Sequence, residues 1–283
     1  MRRRSFLLSL SAATLTVDLL RNPAMAIDPF KRPSPGRLKL SLAAYSMRKY
    51  LTMKADQAGA MDLFDFVDFC AKHELPGAEL TSYYFPADVD DAYILKLKRH
   101  CHLRGVSVSG GAIRNDFCSS DSDKIETDVQ HTKKWIDLYA LLGAPAIRIF
   151  AGKPNSGEEL DVTLNRCAEV CEQVGSYAAQ KGVMLALENH GGVTAKAKGL
   201  LKIVKQVDST AFGINFDSGN FRSGNDPYAE LAEIAPYAIN AQIKTEVTVD
   251  GEKQQADLTR IIRILKDSGY SGWVALEYED KEE

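Results

Sequence analysis

The stretch KGVMLALENHGG, from Lys181 to Gly192, contains the unit that decides the fold of this chain. Gly182 is followed by five apolar residues, Val183 to Leu187, and such a run is typical of a strand that is buried on both faces. The run then stops at a carboxylate, an amide and an imidazole, which are residues 188–190. The unit therefore combines a glycine, a buried strand and a polar strand end.

The same kind of apolar run occurs eight times, mostly after a helix-like segment and a glycine. The runs are LKLSLAAYS (38–46), LPGAEL (75–80), RGVSVSG (104–110), LGAPAIRIF (142–150), KGVMLALE (181–188), FGINFD (212–217), INAQIKTE (239–246) and YSGWVALE (270–277). Alternating strands and helices predict a parallel sheet, and eight units in about 250 residues predict an α/β protein with a (β/α)₈ TIM barrel. A doubly wound sheet is the alternative, but neither a GxGxxG motif after the first strand nor a P-loop is present.

The domain organisation follows from the position of these runs. We expect a signal peptide at residues 1–26, an extended, proline-containing lead-in at 27–37 and the barrel at 38–283. Only YEDKEE follows the eighth run, so the barrel is predicted to lack a full eighth helix. How the barrel closes without that helix cannot be derived from the sequence.

The first 26 residues have a basic start, an apolar middle and the ending Ala24-Met25-Ala26, as in a secretory signal. Arg3-Arg4-Ser5-Phe6-Leu7 also resembles a twin-arginine export signal, although Arg2 stands where Ser or Thr is usual. We therefore expect export, to the periplasm, with an ordinary secretory signal or an uncleaved anchor as the alternatives. No later run approaches the roughly 20 apolar residues of a membrane span, so no stable membrane insertion is expected after cleavage.

Net charge and cysteine content indicate which binding partners and which cysteine roles to expect. The net charge is −3 and no stripe of Lys and Arg with interleaved aromatic residues follows the signal, which argues against nucleic acid. The five cysteines are odd in number and lack CxxC spacing, so they are interpreted as small core side chains. A monomer and a homo-oligomer both remain open.

Alternation along each strand separates a large apolar set, which should face the helices, from a small or polar set, which should face the barrel axis. The second set consists of Ser41, Tyr45, Glu79, Thr81, Ser107, Ser109, Arg148, Ala186, Glu188, Asn215, Asp217, Asn240, Gln242, Lys244, Ala275 and Glu277. Toward the carboxyl ends of the strands it contains more acids than bases, and buried carboxylates need compensation. The excess predicts a divalent cation; helix caps or rim ion pairs are the alternative for each acid taken singly.

The motifs LALENHGG, GINFDSGNF, AQIKTE and GYSGWVALEYE resemble those of the xylose isomerase-like TIM barrels. This family of sugar or sugar-phosphate isomerases and epimerases also includes hydroxypyruvate isomerase, ketose 3-epimerases, inosose dehydratase and endonuclease IV. The resemblance implies one divalent metal ion held by Glu188, Asp217, the position of Gln242, and Glu277. Gln242 replaces the usual His, and an all-oxygen set favours Mn²⁺ or Mg²⁺ over Co²⁺ or Zn²⁺.

The resemblance also implies a small-molecule sugar substrate and an isomerase or epimerase that acts through an enediolate. Glu188 and Glu277 are expected to transfer protons, and Lys244 to stabilise an oxyanion or to form an ion pair with Glu246 or Glu277. The expected substrate-binding residues are His190, Tyr45, Glu79, Arg148 and Asn220. A dehydratase of the inosose dehydratase type and a non-catalytic, exported sugar-binding barrel remain open, whereas a phosphodiesterase of the endonuclease IV type would need more histidines.

Overall fold

The computed structural model describes residues 27–32, 36–222 and 226–279. Eight parallel strands form a closed barrel in the order β1-β10-β7-β6-β5-β4-β3-β2, which confirms the predicted TIM barrel. The barrel strands are β1 (Leu38–Ala43), β2 (Gly77–Thr81), β3 (Ser107–Ala112), β4 (Ala146–Ile149), β5 (Met184–Glu188), β6 (Phe212–Asp217), β7 (Ala238–Ile243) and β10 (Gly272–Leu276). The predicted signal at 1–26 lies outside the described residues.

Helices connect successive strands and cover the outside of the barrel. They are α1 (Arg48–Leu51), α2 (Leu63–Lys72), α3 (Asp91–Arg104), α4 (Ser122–Leu142), α5 (Leu160–Lys181), α6 (Ala197–Val204), α7 (Pro227–Ile234) and α8 (Leu258–Asp267). In the described part of the chain, none of them is long and apolar enough to cross a membrane. All five cysteines are buried and unpaired, as expected for core side chains.

Glycines end the helices where the sequence repeat placed them. Gly105, Gly143 and Gly182 have φ angles of 68°, 92° and 72°, in the left-handed region that terminates a helix without a Cβ clash. Each is followed within a few residues by a barrel strand. The glycine in KGVMLALE therefore marks the change from α5 to β5.

The predicted alternation holds for most strands but is interrupted between β2 and β3. The strand register shifts by one residue between Ala78 and Glu79. A Cβ atom on Gly110 would lie 3.5 Å from Glu79 Oε2, so Gly110, and not the predicted Ser109, is beside that carboxylate. The bulge thus makes room for a large acidic side chain inside the barrel.

The amino-terminal end of the barrel is filled by aromatic side chains. The ring of Trp273 packs where a Cβ atom on Gly77 would come within 2.6 Å of it. Phe30, in the lead-in, donates its backbone N–H to Pro236 O at 3.1 Å, and the Arg32 guanidinium donates to Ala238 O at 2.5 Å. The lead-in therefore lies across this end and leaves the carboxyl end for the site.

Within the described residues, no helix covers the outer face of the barrel between β10 and β1. Leu40 and Leu276, which alternation predicted to face helices, are 63% and 41% exposed. No helix follows β10 as far as residue 279, in agreement with the predicted lack of a full eighth helix. Direct pairing of β1 with β10, from Leu38↔Gly272 to Leu42↔Leu276, closes the barrel without it.

An antiparallel hairpin that the sequence analysis did not anticipate follows β7. Its strands are β8 (Glu246–Val249) and β9 (Glu252–Gln255). The turn residues Asp250 and Gly251 have φ angles of 51° and 85°, as the tight Asp-Gly hairpin turn requires. The hairpin stands next to the carboxyl end of the barrel.

Candidate active site

Three carboxylates converge at the carboxyl ends of the barrel strands. Glu188 is the last residue of β5, Asp217 is the last residue of β6, and Glu277 directly follows β10. Their exposed fractions are 3%, 0% and 6%. This end of a TIM barrel is where active sites form.

Glu188 is held by an arginine and two amides. Its Oε2 lies 2.9 Å from Arg148 Nε and accepts a hydrogen bond from Asn215 at 3.1 Å. Its Oε1 accepts from Asn220 Nδ2 at 2.9 Å. Burial nevertheless raises the pKa of Glu188, and the opposing effect of Arg148 does not cancel this increase. Glu188 is therefore rigidly positioned and ready to bind a proton.

Asp217 is positioned through the backbone. The Asn189 side chain accepts from the Asp217 N–H and donates to the Asp217 carbonyl oxygen, both at 2.9 Å. Asp217 Oδ1 accepts from Gly219 N at 2.8 Å, whereas no described group donates a hydrogen bond to the buried Oδ2. Burial raises the pKa of Asp217. Asn189 thus connects β5 to β6 and orients the Asp217 carboxylate.

Lys244 places its ammonium among the acids. The Nζ atom lies 3.2 Å from Asp217 Oδ2, 2.9 Å from Glu279 Oε2 and 3.8 Å from Glu277 Oε2. It also donates to Asn220 Oδ1 at 3.2 Å. Burial by itself would lower the pKa of Lys244, but these carboxylates raise it above its ordinary value. Of the two partners expected for an ion pair with Lys244, Glu277 lies within ion-pair distance, whereas Glu246 pairs with Lys253 in the hairpin.

Glu277 is the least constrained of the three acids. Its backbone N–H donates to Ile243 O at 2.9 Å, which fixes the strand end against β7. The nearest described cation, Lys244 Nζ, is 3.8 Å from the carboxylate and beyond hydrogen-bond distance. Burial raises the pKa of Glu277 well above its ordinary value. A protonated Glu277 is accordingly stabilised more than in water.

Gln242 and Glu79 belong to an amide network beneath the acids. Gln242 Nε2 donates to Glu79 Oε1, and Gln242 Oε1 accepts from Asn215 Nδ2, both at 2.6 Å. Asn240 donates to the other Glu79 oxygen at 2.9 Å. Glu79, which was expected to bind substrate, is 1% exposed, and both its carboxylate oxygens accept hydrogen bonds from these amides. A metal ion could use only the remaining lone pair of Gln242 Oε1.

The other predicted substrate-binding residues surround the opening. The His190 ring lies 4.1 Å from that of Phe150, and its Nε2 is 4.0 Å from Glu188 Oε1. Desolvation, with Arg148 and Lys244 nearby, lowers the pKa of His190 to about 4, so the ring is neutral near pH 7.

Tyr45 is half-buried, and the Arg48 guanidinium lies over its ring at 5.4 Å. Asn220, expected to bind substrate, instead bridges Glu188 and Lys244. Arg148 is likewise occupied by protein groups: its guanidinium forms an ion pair with Glu188, and its Nη1 donates to Ile113 O at 2.7 Å. Arg148 and Asn220 therefore both hold the Glu188 carboxylate in place.

Sequence reasoning missed Glu279 and Tyr83, and it placed Asn215 on the barrel axis without a role at the site. Glu279 pairs with Lys244, Asn215 donates to both Glu188 and Gln242, and the Tyr83 hydroxyl accepts from Arg148 at 3.3 Å. Alternation continued two residues beyond Glu277 would have indicated Glu279. Tyr83 lies in the irregular segment after β2, where no periodic signal exists.

The donor set fits a divalent ion in charge and chemistry. Five buried or half-buried carboxylates lie there, those of Glu79, Glu188, Asp217, Glu277 and Glu279, and Arg148 and Lys244 form the ion pairs with them that the described residues show. Oxygen donors of this kind suit Mn²⁺ or Mg²⁺. In the described residues no three acidic, His or Cys side chains are close enough to hold an ion in this conformation. Lys244 stands between the acids, so it would have to withdraw.

The closed barrel and the acidic cluster at its carboxyl end define a TIM barrel with a polar site on its axis. Residues 62–283 match the model of the xylose isomerase-like TIM barrel family, and the chain belongs to this family. A comparison with curated proteins finds no significant match.

Solved structures of similar fold include several sugar epimerases. A D-tagatose 3-epimerase-like protein is 16% identical, with a TM-score of 0.67, over 86% of this chain and 91% of its own. The 3-keto-D-glucoside 4-epimerase YcjR from E. coli is 12% identical, with a TM-score of 0.69, over 87% and 94%. The IolI protein, solved with a zinc atom, is 17% identical, with a TM-score of 0.68, over 84% and 88%. At these identities the likeness shows the shared fold.

Proposed function

We propose that this protein is a divalent-metal-dependent isomerase or epimerase of a sugar or sugar-like polyol that acts through an enediolate. The observation that supports this most is the pair Glu188 and Glu277, two buried carboxylates with raised pKa on the fifth and eighth barrel strands. Carboxylates whose pKa is raised above its ordinary value are stronger bases than a free carboxylate and suit general acid–base catalysis. The similarity to epimerases is consistent with this chemistry.

The proposed metal ligands are Glu188, Asp217 and Glu277, with Gln242 as a weaker fourth. Mn²⁺ or Mg²⁺ is the proposed ion, since the donors are all oxygen atoms. The chemistry that such an ion supplies is Lewis-acid polarisation of the sugar carbonyl. Asp217 Oδ2, which is buried and has the Lys244 ammonium at 3.2 Å, is the atom that a metal ion in place of this ammonium would contact.

Side chains of the protein are proposed to transfer the proton. Epimerisation takes a proton from one face of a planar enediolate and returns it to the other, so it needs two proton carriers. Glu277, with few restraints, is proposed to remove the proton, and Glu188, held by Arg148 and Asn220, to deliver one on the other face. Lys244 then donates a hydrogen bond to the developing oxyanion, a contribution of a few kcal/mol in comparable sites.

Turnover in D₂O tests this function. The protein is incubated with Mn²⁺ and a panel of unphosphorylated ketoses and aldoses, and the sugars are analysed by NMR. We expect deuterium at the carbon next to the carbonyl in substrate and product. Product without deuterium would indicate a hydride shift, and release of water from the sugar would indicate a dehydratase. No turnover of any sugar would contradict the proposal.

A non-catalytic, exported sugar-binding barrel is the second candidate. The position of Lys244, with its ammonium 3.2 Å from Asp217 Oδ2, favours it, because this cation already compensates part of the acidic cluster. Such a protein would bind sugar without a metal ion. Metal analysis of protein equilibrated with excess Mn²⁺ separates the two candidates.

We further propose that the chain is exported to the periplasm by the twin-arginine route and cleaved after Ala26. The basis is the Arg3-Arg4-Ser5-Phe6-Leu7 stretch ahead of Ala24-Met25-Ala26. Replacing both Arg3 and Arg4 by Lys should block export, whereas Arg2→Lys should not. Cell fractionation and amino-terminal sequencing measure this. Normal export of the double variant would contradict the twin-arginine route.

A further inference from the structure

A cavity of about 1190 Å³ opens beside the acidic cluster, over the carboxyl ends of β1, β2 and β3. We call it the aromatic groove. Its lining contains five aromatic side chains, namely Tyr45, Tyr83, Tyr84, Trp135 and Tyr278. The acids Glu188, Asp217 and Glu277 are not part of this lining. The groove is thus a space separate from the proposed reaction centre.

Two contacts connect the groove to that centre. Tyr278 directly follows Glu277 in the chain, and Arg48 holds it by donating to its carbonyl oxygen at 2.8 Å. On the other side the Tyr83 hydroxyl accepts from Arg148, the partner of Glu188. A ligand that reaches between Glu188 and Glu277 would therefore border directly on the groove.

The size of the groove exceeds what one sugar ring requires. Pockets that enclose a drug-sized molecule have volumes of roughly 300–1,000 Å³. A single hexose is smaller than such a molecule and would react on the barrel axis, outside the groove. The space is therefore available to a second part of the ligand.

The lining indicates what that second part is. Tyr and Trp present an apolar ring with a polar tip, which matches a pyranose with its apolar C–H face and its hydroxyl edge. Charges of both signs are present: Arg114, over the Tyr83 ring at 4.9 Å, is exposed, and Asp116 and Asp128 lie nearby in the lining. Mixed charge favours a neutral ligand over a polyanion.

We propose that the substrate is a glycoside, with its carbonyl-bearing sugar at the acidic cluster and a neighbouring neutral glycosyl residue in the aromatic groove. This proposal rests on the proposed function for the reacting sugar, and it adds the substrate class. It also assigns a binding role to Tyr83, Tyr84 and Trp135, which the sequence analysis did not identify.

Calorimetric titration tests the groove without requiring turnover. The probes are D-fructose and three disaccharides with a fructose end, lactulose, maltulose and isomaltulose. Thr127, exposed on α4 in the groove lining, is replaced by Trp to fill the space. Gln130→Trp, at an exposed position of the same helix outside the lining, is the matched control. Tyr84→Ala, which removes one ring, is a second test.

At least one disaccharide is expected to bind ten times more tightly than fructose to wild type and to Gln130→Trp. This advantage should disappear in Thr127→Trp, with fructose binding unchanged, and fall in Tyr84→Ala. Equal affinity for all four sugars, no binding of any, or equal loss in both Trp variants would overturn the proposal. Tight disaccharide binding without deuterium exchange would support the groove assignment and contradict the proposed isomerase function. Deuterium exchange into fructose without tighter disaccharide binding would support the isomerase function and contradict the groove assignment.

Discussion

Replacing Glu277 by Gln is expected to lower solvent deuterium exchange into the sugar by at least about 100-fold, the usual contribution of one general acid–base group. The amide keeps the shape of the side chain but cannot accept the proton. The substitution removes no described hydrogen bond, because the nearest described cation, Lys244 Nζ, is 3.8 Å from the Glu277 carboxylate. Fold and sugar binding should therefore be retained.

Glu279→Gln is the matched control for this experiment. Glu279 is two residues further on, pairs with Lys244 at 2.9 Å and has a side chain that is 34% exposed. Its replacement by Gln removes one negative charge near Lys244, as Glu277→Gln does. We expect its loss to lower exchange far less. NMR of the sugar in D₂O measures exchange, and calorimetry measures binding. Exchange by Glu277→Gln at the wild-type rate would exclude Glu277 as the base and leave it as a metal ligand at most.

Replacing Lys244 by Met is expected to destabilise the metal-free protein by about 3–5 kcal/mol, since it leaves buried acids without their cation. For a domain of this size the melting temperature should fall by roughly 6–20 °C in EDTA. Mn²⁺ should restore much of this loss and bind at least ten times more tightly than to wild type. The reason is that the ammonium lies between Asp217 and Glu279, where it competes with a metal ion for their oxygens.

Lys253→Met is the control for the Lys244 variant. Lys253 pairs with Glu246 at 2.6 Å, but its side chain is 70% exposed, and exposed pairs contribute about 1 kcal/mol or less. Thermal unfolding in EDTA and in Mn²⁺ measures stability, and electron paramagnetic resonance of free Mn²⁺ measures affinity. Equal Mn²⁺ affinity of wild type and Lys244→Met would show that the ammonium does not compete with the ion.

Much of the architecture was determined by the sequence alone. Each strand required only a local pattern, an apolar run that mostly follows a helix-like segment and a glycine, and eight such units allow few arrangements besides a closed parallel barrel. The same pattern placed Glu188, Asp217 and Glu277 at one end of the barrel, since the carboxyl ends of parallel strands meet there. The alternation of side chains along a strand and the common direction of the strands are sufficient to predict where these three acids lie.

What only the tertiary structure decided is which partner each polar side chain has. Gln242 was expected to bind metal, but its amide is engaged by Glu79 from β2 and Asn215 from β6. Lys244 was expected to pair with Glu246 or Glu277, and its ammonium lies near Glu277 but closer to Asp217 and Glu279. These contacts join residues far apart in the chain, and a buried charge or amide takes whichever partner the packed barrel brings within reach, which no local period encodes. The aromatic groove has the same origin, because its walls come from irregular segments that become neighbours only when the barrel closes.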